Sequence, residues 1–161
     1  MLHKIRNYYS RLVEESLVPN ESYLTGVFFM CKEEELEMAP IQFDFYHVNE
    51  KVMTSFRFEG EDMIVQPKSE VFVENGMIVS KLDVSYDLVD FDQVYLKAKE
   101  SLRMYNESVD KLIVVLQNVE GSVLWNITLL TPNFNMFNVR INAVTLEILK
   151  QEYSSLLNFK K

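Results

Sequence analysis

What this chain lacks narrows it first. It has a single cysteine, Cys31, so no intrachain disulfide can form. Glycine and proline number four each in 161 residues, too few for a linker-rich or disordered chain. Positive charge is short: 16 Lys and Arg stand against 24 Asp and Glu, a formal net charge of −8. A general nucleic-acid binder needs a cationic footprint to neutralise phosphates, and an anionic membrane surface would repel this balance. The excess carboxylate serves solubility first and a basic protein partner second. No run approaches 18 apolar residues, and Met1–Arg6 has neither the apolar core nor the small-residue cleavage site of a secretory signal. The expectation is a cytoplasmic protein, in which the N-x-S/T matches at Asn20, Asn106 and Asn126 carry no sugar.

Chemical signatures are equally sparse. There is no Gly-rich phosphate loop, no Gly-x-Ser-x-Gly and no His-Glu-x-x-His. A zinc site would need His3, His47 and Cys31 to converge, and their spacing gives no hint of that. His47 alternates with Phe43 and Phe45, as a histidine at the edge of a core or on a sheet surface would. Cys31 ends an apolar run and reads as a buried small hydrophobe, whereas a nucleophile needs a base and a lowered pKa. Acidic clusters at 33–37, at 59–62 and at Asp83, Asp87, Asp90 and Asp92 lack the alternating spacing of a calcium loop and read as solvated segments.

What is present is an ordinary globular composition, 48% apolar and 25% charged. A chain this long buries roughly 70% of its unfolded surface, so it needs no metal or disulfide to fold. Leu2, Ile5, Tyr9, Leu12 and Ser16 recur at helical spacing, which predicts a helix over 2–18, ended by Pro19-Asn20. Strands follow over 23–31, 41–47, 52–58 and 63–66, with a charged loop at 32–37. Asn75-Gly76 between 70–74 and 77–81 is a strong hairpin signal, and 82–89 is a connection. Asp90 opens a second helix, with Gln93 placed to complete a capping box; Phe91, Val94, Tyr95, Ala98, Leu102 and Tyr105 form its core stripe. Strands follow at 111–117, 123–130 and 137–141, a short one at 146–149, and a helical turn or two at 151–157.

The halves repeat this order of elements, and residues match too. Phe43, Phe45 and His47 correspond to Trp125, Ile127 and Leu129 at an offset of 82; Phe56-Arg57-Phe58 falls on Val139-Arg140-Ile141 at 83. One amphipathic helix can cover one apolar sheet face, so each half is a plausible unit; two units could bury their faces against each other or join edge to edge.

Residues 90–150 resemble a PepSY domain. The resemblance rests on the capped helix with Ala98, on Leu116-Gln117-Asn118-Val119-Glu120-Gly121, on the Trp-led strand Val123-Leu124-Trp125-Asn126-Ile127, and on the closing run Val139 to Leu149. Asn142 stands where the family has Asp and Leu146 where it has Gly, so an altered turn is expected there. The resemblance implies a helix on an antiparallel sheet and a non-catalytic binding or inhibitory module, often associated with peptidases.

The expectation is therefore an α+β protein of two similar helix-plus-antiparallel-sheet units in a PepSY-like tandem, forming one compact domain. The first unit is 1–67, the second 90–161, with a hairpin and connection over 68–89. By alternation Arg57 and Arg140 point away from the apolar face, with Asp44, Tyr46 and Asn126 on the neighbouring strands. These five are either cross-strand polar pairs on a solvent face or a partner-binding face. The function expected is a protein-binding module that regulates or inhibits an intracellular partner. The alternatives are an acidic chaperone- or immunity-type protein neutralising a secreted effector or toxin, and an enzyme of unrecognised type. No catalytic residue, cofactor, metal, nucleic acid or membrane is expected, and monomer and homodimer are both open.

Overall fold

The computed structural model describes residues 1–71 and 78–159. The Asn75-Gly76 turn lies outside them. Helix α1 spans Leu2–Glu14 and buries Leu2, Ile5 and Leu12. It stops well before Pro19. Ser16 takes a φ of 55°, its N–H bonds the Val13 carbonyl, and the Leu17 N–H reaches back to Leu12. That is a Schellman closure with serine in the left-handed position that glycine usually fills, so no glycine announces it. Helix α2 spans Phe91–Arg103. The Asp90 carboxylate accepts from the Asp92 N–H at 3.3 Å, while the Gln93 N–H bonds the Asp90 carbonyl.

The strands are β1 (Ser22–Lys32), β2 (Ile41–His47), β3 (Val52–Glu59), β4 (Asp62–Val65), β5 (Ser69–Glu70), β6 (Lys111–Val119), β7 (Ser122–Leu130), β8 (Asn135–Asn142) and β9 (Ile148–Ser155). All belong to one antiparallel sheet in the order β4-β3-β2-β1-β6-β7-β8-β9, with β5 also on β3. The strands before and after α2 thus join in one sheet through β1 and β6, and the fold is α+β. The Glu120-Gly121 turn between β6 and β7 has φ values of 51° and 88°, the doubly left-handed geometry that matches strand twist.

Three local expectations change. The charged segment after β1 is a 3-10 turn, Glu33–Met38. The expected terminal helix is mostly strand: β9 runs to Ser155, because its ladder with β8 overrides the helical leaning of Gln151 and Glu152. The turn at 142–146 keeps the geometry a glycine would give. Leu146 itself takes a φ of 63°, and the Asn142 side chain accepts from the N–H groups of Val144 and Thr145 at 2.8 and 3.0 Å.

Both helices lie on one side of the sheet, and the core lies between. Tyr8 stacks on Phe58 at 4.3 Å and Tyr9 on Phe43 at 6.5 Å, so α1 covers β2 and β3. Phe91 meets Trp125 at 5.2 Å and Phe29 at 5.1 Å, so α2 covers β7 and β1. The connection 78–89 is pinned along one end of the sheet. The Leu82 N–H bonds Leu24, the Val89 N–H bonds Ala143, and Arg6 donates to the carbonyls of Val84 and Tyr86 at 3.0 and 2.6 Å. Leu82, Val84 and Leu88 are buried beneath it.

Glu107 fastens the far end. Its carboxylate accepts from Asn135 at 2.6 Å, Asn133 at 2.9 Å and the Tyr153 hydroxyl at 3.1 Å, tying the α2–β6 loop to the β7–β8 hairpin and β9. These donors, Asn135 first, hold its pKa below the ordinary 4.5. A lowered carboxylate pKa stabilises the fold above the unfolded-state value and loses that contribution as pH falls. Glu107→Gln should therefore flatten the fall of stability with pH below 4.5. Urea titrations of both proteins between neutral and acid pH check this; parallel curves would remove Glu107 as the cause.

Candidate functional site

The face of the sheet away from the helices is the only extended surface that brings sequence-expected site residues together among the described residues. Its centre comes from an unusual property of β1 and β6. Val27-Phe28-Phe29-Met30-Cys31 and Leu112-Ile113-Val114-Val115-Leu116 are apolar without alternation. Such runs suit strands covered on both faces, whereas a sheet covered on one face alternates. Val27, Phe29, Cys31, Leu112, Val114 and Leu116 fill the core under the helices. Phe28, Met30, Ile113 and Val115 point to the other face, where Phe28, Ile113 and Val115 are half-buried and Met30 is 46% exposed.

Register lines these side chains into rows across the strands. One row reads Arg57, Gln42, Phe28, Val115, Asn126, Arg140, each opposite the next. At about 4.8 Å per strand step, its two arginines stand roughly 24 Å apart. The next row reads Met30, Ile113, Thr128, Asn138. The result is an apolar centre with polar shoulders and an arginine beyond each, followed at the sheet edges by Ile64 on one side and Lys150 on the other.

The five expected residues divide on this face. Asn126 and Arg140 are direct cross-strand neighbours, as expected. Asn126 accepts from the Asn138 amide at 2.9 Å, which also donates to Thr128. Arg140 is exposed and makes no ion pair among the described residues. Arg57 lies opposite Gln42, not Asp44. It pairs instead with Glu59 at 2.9 Å, and its buried Nε has no hydrogen-bond partner. Asp44 lies opposite Ser55 and is occupied by the Ser55 hydroxyl at 2.5 Å and the Gln42 amide at 2.8 Å. Tyr46 is only 7% exposed, with its ring edge-on to Tyr23 at 6.0 Å, so it supports the face rather than presenting itself. Phe28, Met30, Ile113 and Val115 were missed from the sequence, where the unalternating runs in β1 and β6 were the available signal; Gln42 of β2 was missed because alternation does not give register between strands.

Elsewhere the reactive groups are engaged in structure. Burial pushes the Cys31 thiol up to about 11, with Glu35 adding to it, so it stays protonated near neutrality. His47 is buried and shares a 2.8 Å hydrogen bond with Thr54. Burial pushes Glu33 up, but hydrogen bonds from Lys99 and Tyr95 outweigh it and hold the carboxyl below its usual range. This trio clasps the 3-10 turn to α2. Asp83 caps its own turn, accepting from the Ser85 hydroxyl and N–H. Among the described residues no group of three or more His, Cys, Asp or Glu side chains is placed to hold a metal ion, and no helix is long and apolar enough to cross a membrane.

No family model matches the chain. No curated protein matches it either. Among solved structures the chain is similar to the crystal structure of a Clostridium difficile 630 protein provisionally described as a lipoprotein. The TM-score is 0.57 at 12% identity, covering 91% of this chain and 90% of that one. At that identity the likeness speaks for the fold.

Proposed function

Taking as premise a likeness in fold alone, over 91% of the chain, we propose that this chain is a non-catalytic protein-binding module whose open sheet face takes the partner. One observation carries the reading: β1 and β6 are apolar on both sides, yet helices cover one side only. A monomer rarely leaves a rimmed apolar strip in water without a use for it. Phe28, Met30, Ile113 and Val115 supply the desolvated centre, and Arg57 and Arg140 the polar ends, which fits the anatomy of an interface. The exposed Arg140, with no ion pair among the described residues, leaves donors for acidic groups on the partner.

We further infer that the two halves are copies of one PepSY-like unit. The support is the row itself. Read outward from Phe28 and Val115, it gives Gln42 then Arg57 on one side and Asn126 then Arg140 on the other. Keeping Arg57 equivalent to Arg140 then matches Gln42 with Asn126, so Phe43 corresponds to Ile127 and not to Trp125.

The test is affinity capture from the native host with the wild-type chain and with the Arg57→Glu, Arg140→Glu variant, read by mass spectrometry. A protein held by the first and lost by the second supports the reading. Equal retention by both, or a co-purifying small molecule with no protein, would sink it.

A further inference from the structure

A second surface lies at the edge of the sheet, next to the Arg140 end of the open face. Strand β9 pairs with β8 on one side, and no described residue pairs with its other side. An unpaired edge is a row of free N–H and C=O groups ready to accept another strand. The opposite edge offers less, since β4 has four residues and β5 two.

We propose that β9 pairs antiparallel with β9 of a second copy of this chain, centred on Gln151. The charges select that register. Lys150 lies opposite Arg140 and Glu152 opposite Asn138, so both side chains stand on the open side of the sheet. A two-fold axis at Gln151 sets Lys150 against the partner's Glu152, and Glu152 against the partner's Lys150. Centring on Lys150 or on Glu152 would set a charge against itself, which cross-strand pairs disfavour. Within one chain Lys150 already contacts Glu152 at 2.9 Å, with the two side chains 50% and 60% exposed. In the pair, four charges alternate around the axis and each cation gains a second carboxylate. The irregularity at Leu149, where the β8–β9 register shifts, marks the limit of the shared ladder. Leu149 is 47% exposed, and the same register brings it beside the partner's Tyr153. The interface is isologous, as a closed two-fold dimer requires.

Sedimentation velocity on the full chain tests this through charge swapping. The wild type should dimerise reversibly. Lys150→Glu and Glu152→Lys should each weaken association roughly tenfold, because two attractive cross-strand pairs become repulsive. An equimolar mixture of the two variants should recover association, since each chain supplies the charge the other has lost. The double swap, Lys150→Glu with Glu152→Lys, should recover it as well. A wild type that stays monomeric at the highest attainable concentration would overturn the proposal. So would a dimer whose affinity ignores all three variants, and circular dichroism confirms that each variant is folded.

Discussion

Phe91→Ala is expected to lower the free energy of unfolding by about 3–5 kcal/mol. Phe91 is fully buried at the start of α2 and touches three aromatic rings at once: Phe29 at 5.1 Å, Trp125 at 5.2 Å and Tyr95 at 5.6 Å. These neighbours come from β1, β7 and α2, and their backbones are held by ladders on both sides of each strand or by the helix itself. They have little freedom to collapse into the space a ring leaves, which places the cost high in the range for such truncations. Urea denaturation should show a lower midpoint at unchanged slope, because the surface exposed on unfolding is nearly the same. Met104→Ala is the control: Met104 is 81% exposed, and the change should stay within about 0.5 kcal/mol. A Phe91→Ala loss below about 1 kcal/mol would mean that α2 is not seated on the sheet as described.

Alternation and capping made much of this fold legible. The faces of β2 and β3 were readable because Phe43, Phe45 and His47, and Thr54, Phe56 and Phe58, alternate with polar residues. All six are buried on the helix side. Asp90 marked the start of α2 for a local reason, its side chain satisfying a free amide. The end of α1 was not legible, because serine occupies a conformation that glycine usually signals. Of β9 only the start was legible, in the short strand expected over 146–149; the rest, expected as helical turns, is held as strand by pairing with β8.

The candidate site was half legible. Alternation placed Arg57, Arg140 and Asn126 on the outer face correctly. It could not give the register between strands, so Asp44 was matched to Arg57 when Gln42 stands there. It gave no sign of the packing that buries Tyr46 against Tyr23. The apolar centre escaped because an unalternating run looks like core on both sides. Only the placement of both helices on one face reveals that Phe28 and Val115 have no cover from them.

The second large effect concerns that face. Arg57→Glu with Arg140→Glu should weaken partner binding about 100-fold, taking about 1.4 kcal/mol for each reversed charge. The two sites are roughly 24 Å apart, so their effects should add. Stability should barely move. Arg140 has no ion pair to lose among the described residues, and the exposed Arg57–Glu59 pair is worth at most about 1 kcal/mol. Titration calorimetry with the captured partner, beside urea denaturation of the same variant, separates the two outcomes. A fall in affinity that merely tracks a fall in stability would remove the arginines from the interface.

Hydroxyl-radical footprinting of the complex tests the proposed docking face most directly. Met30 is 46% exposed on the open face, and Met104, at 81%, adjoins the end of α2 on the helix side. Binding should protect Met30 and Phe28 from oxidation and leave Met104 as reactive as in the free chain. Protection of Met104 with Met30 unchanged would place the partner on the helices and contradict the open face as the binding surface.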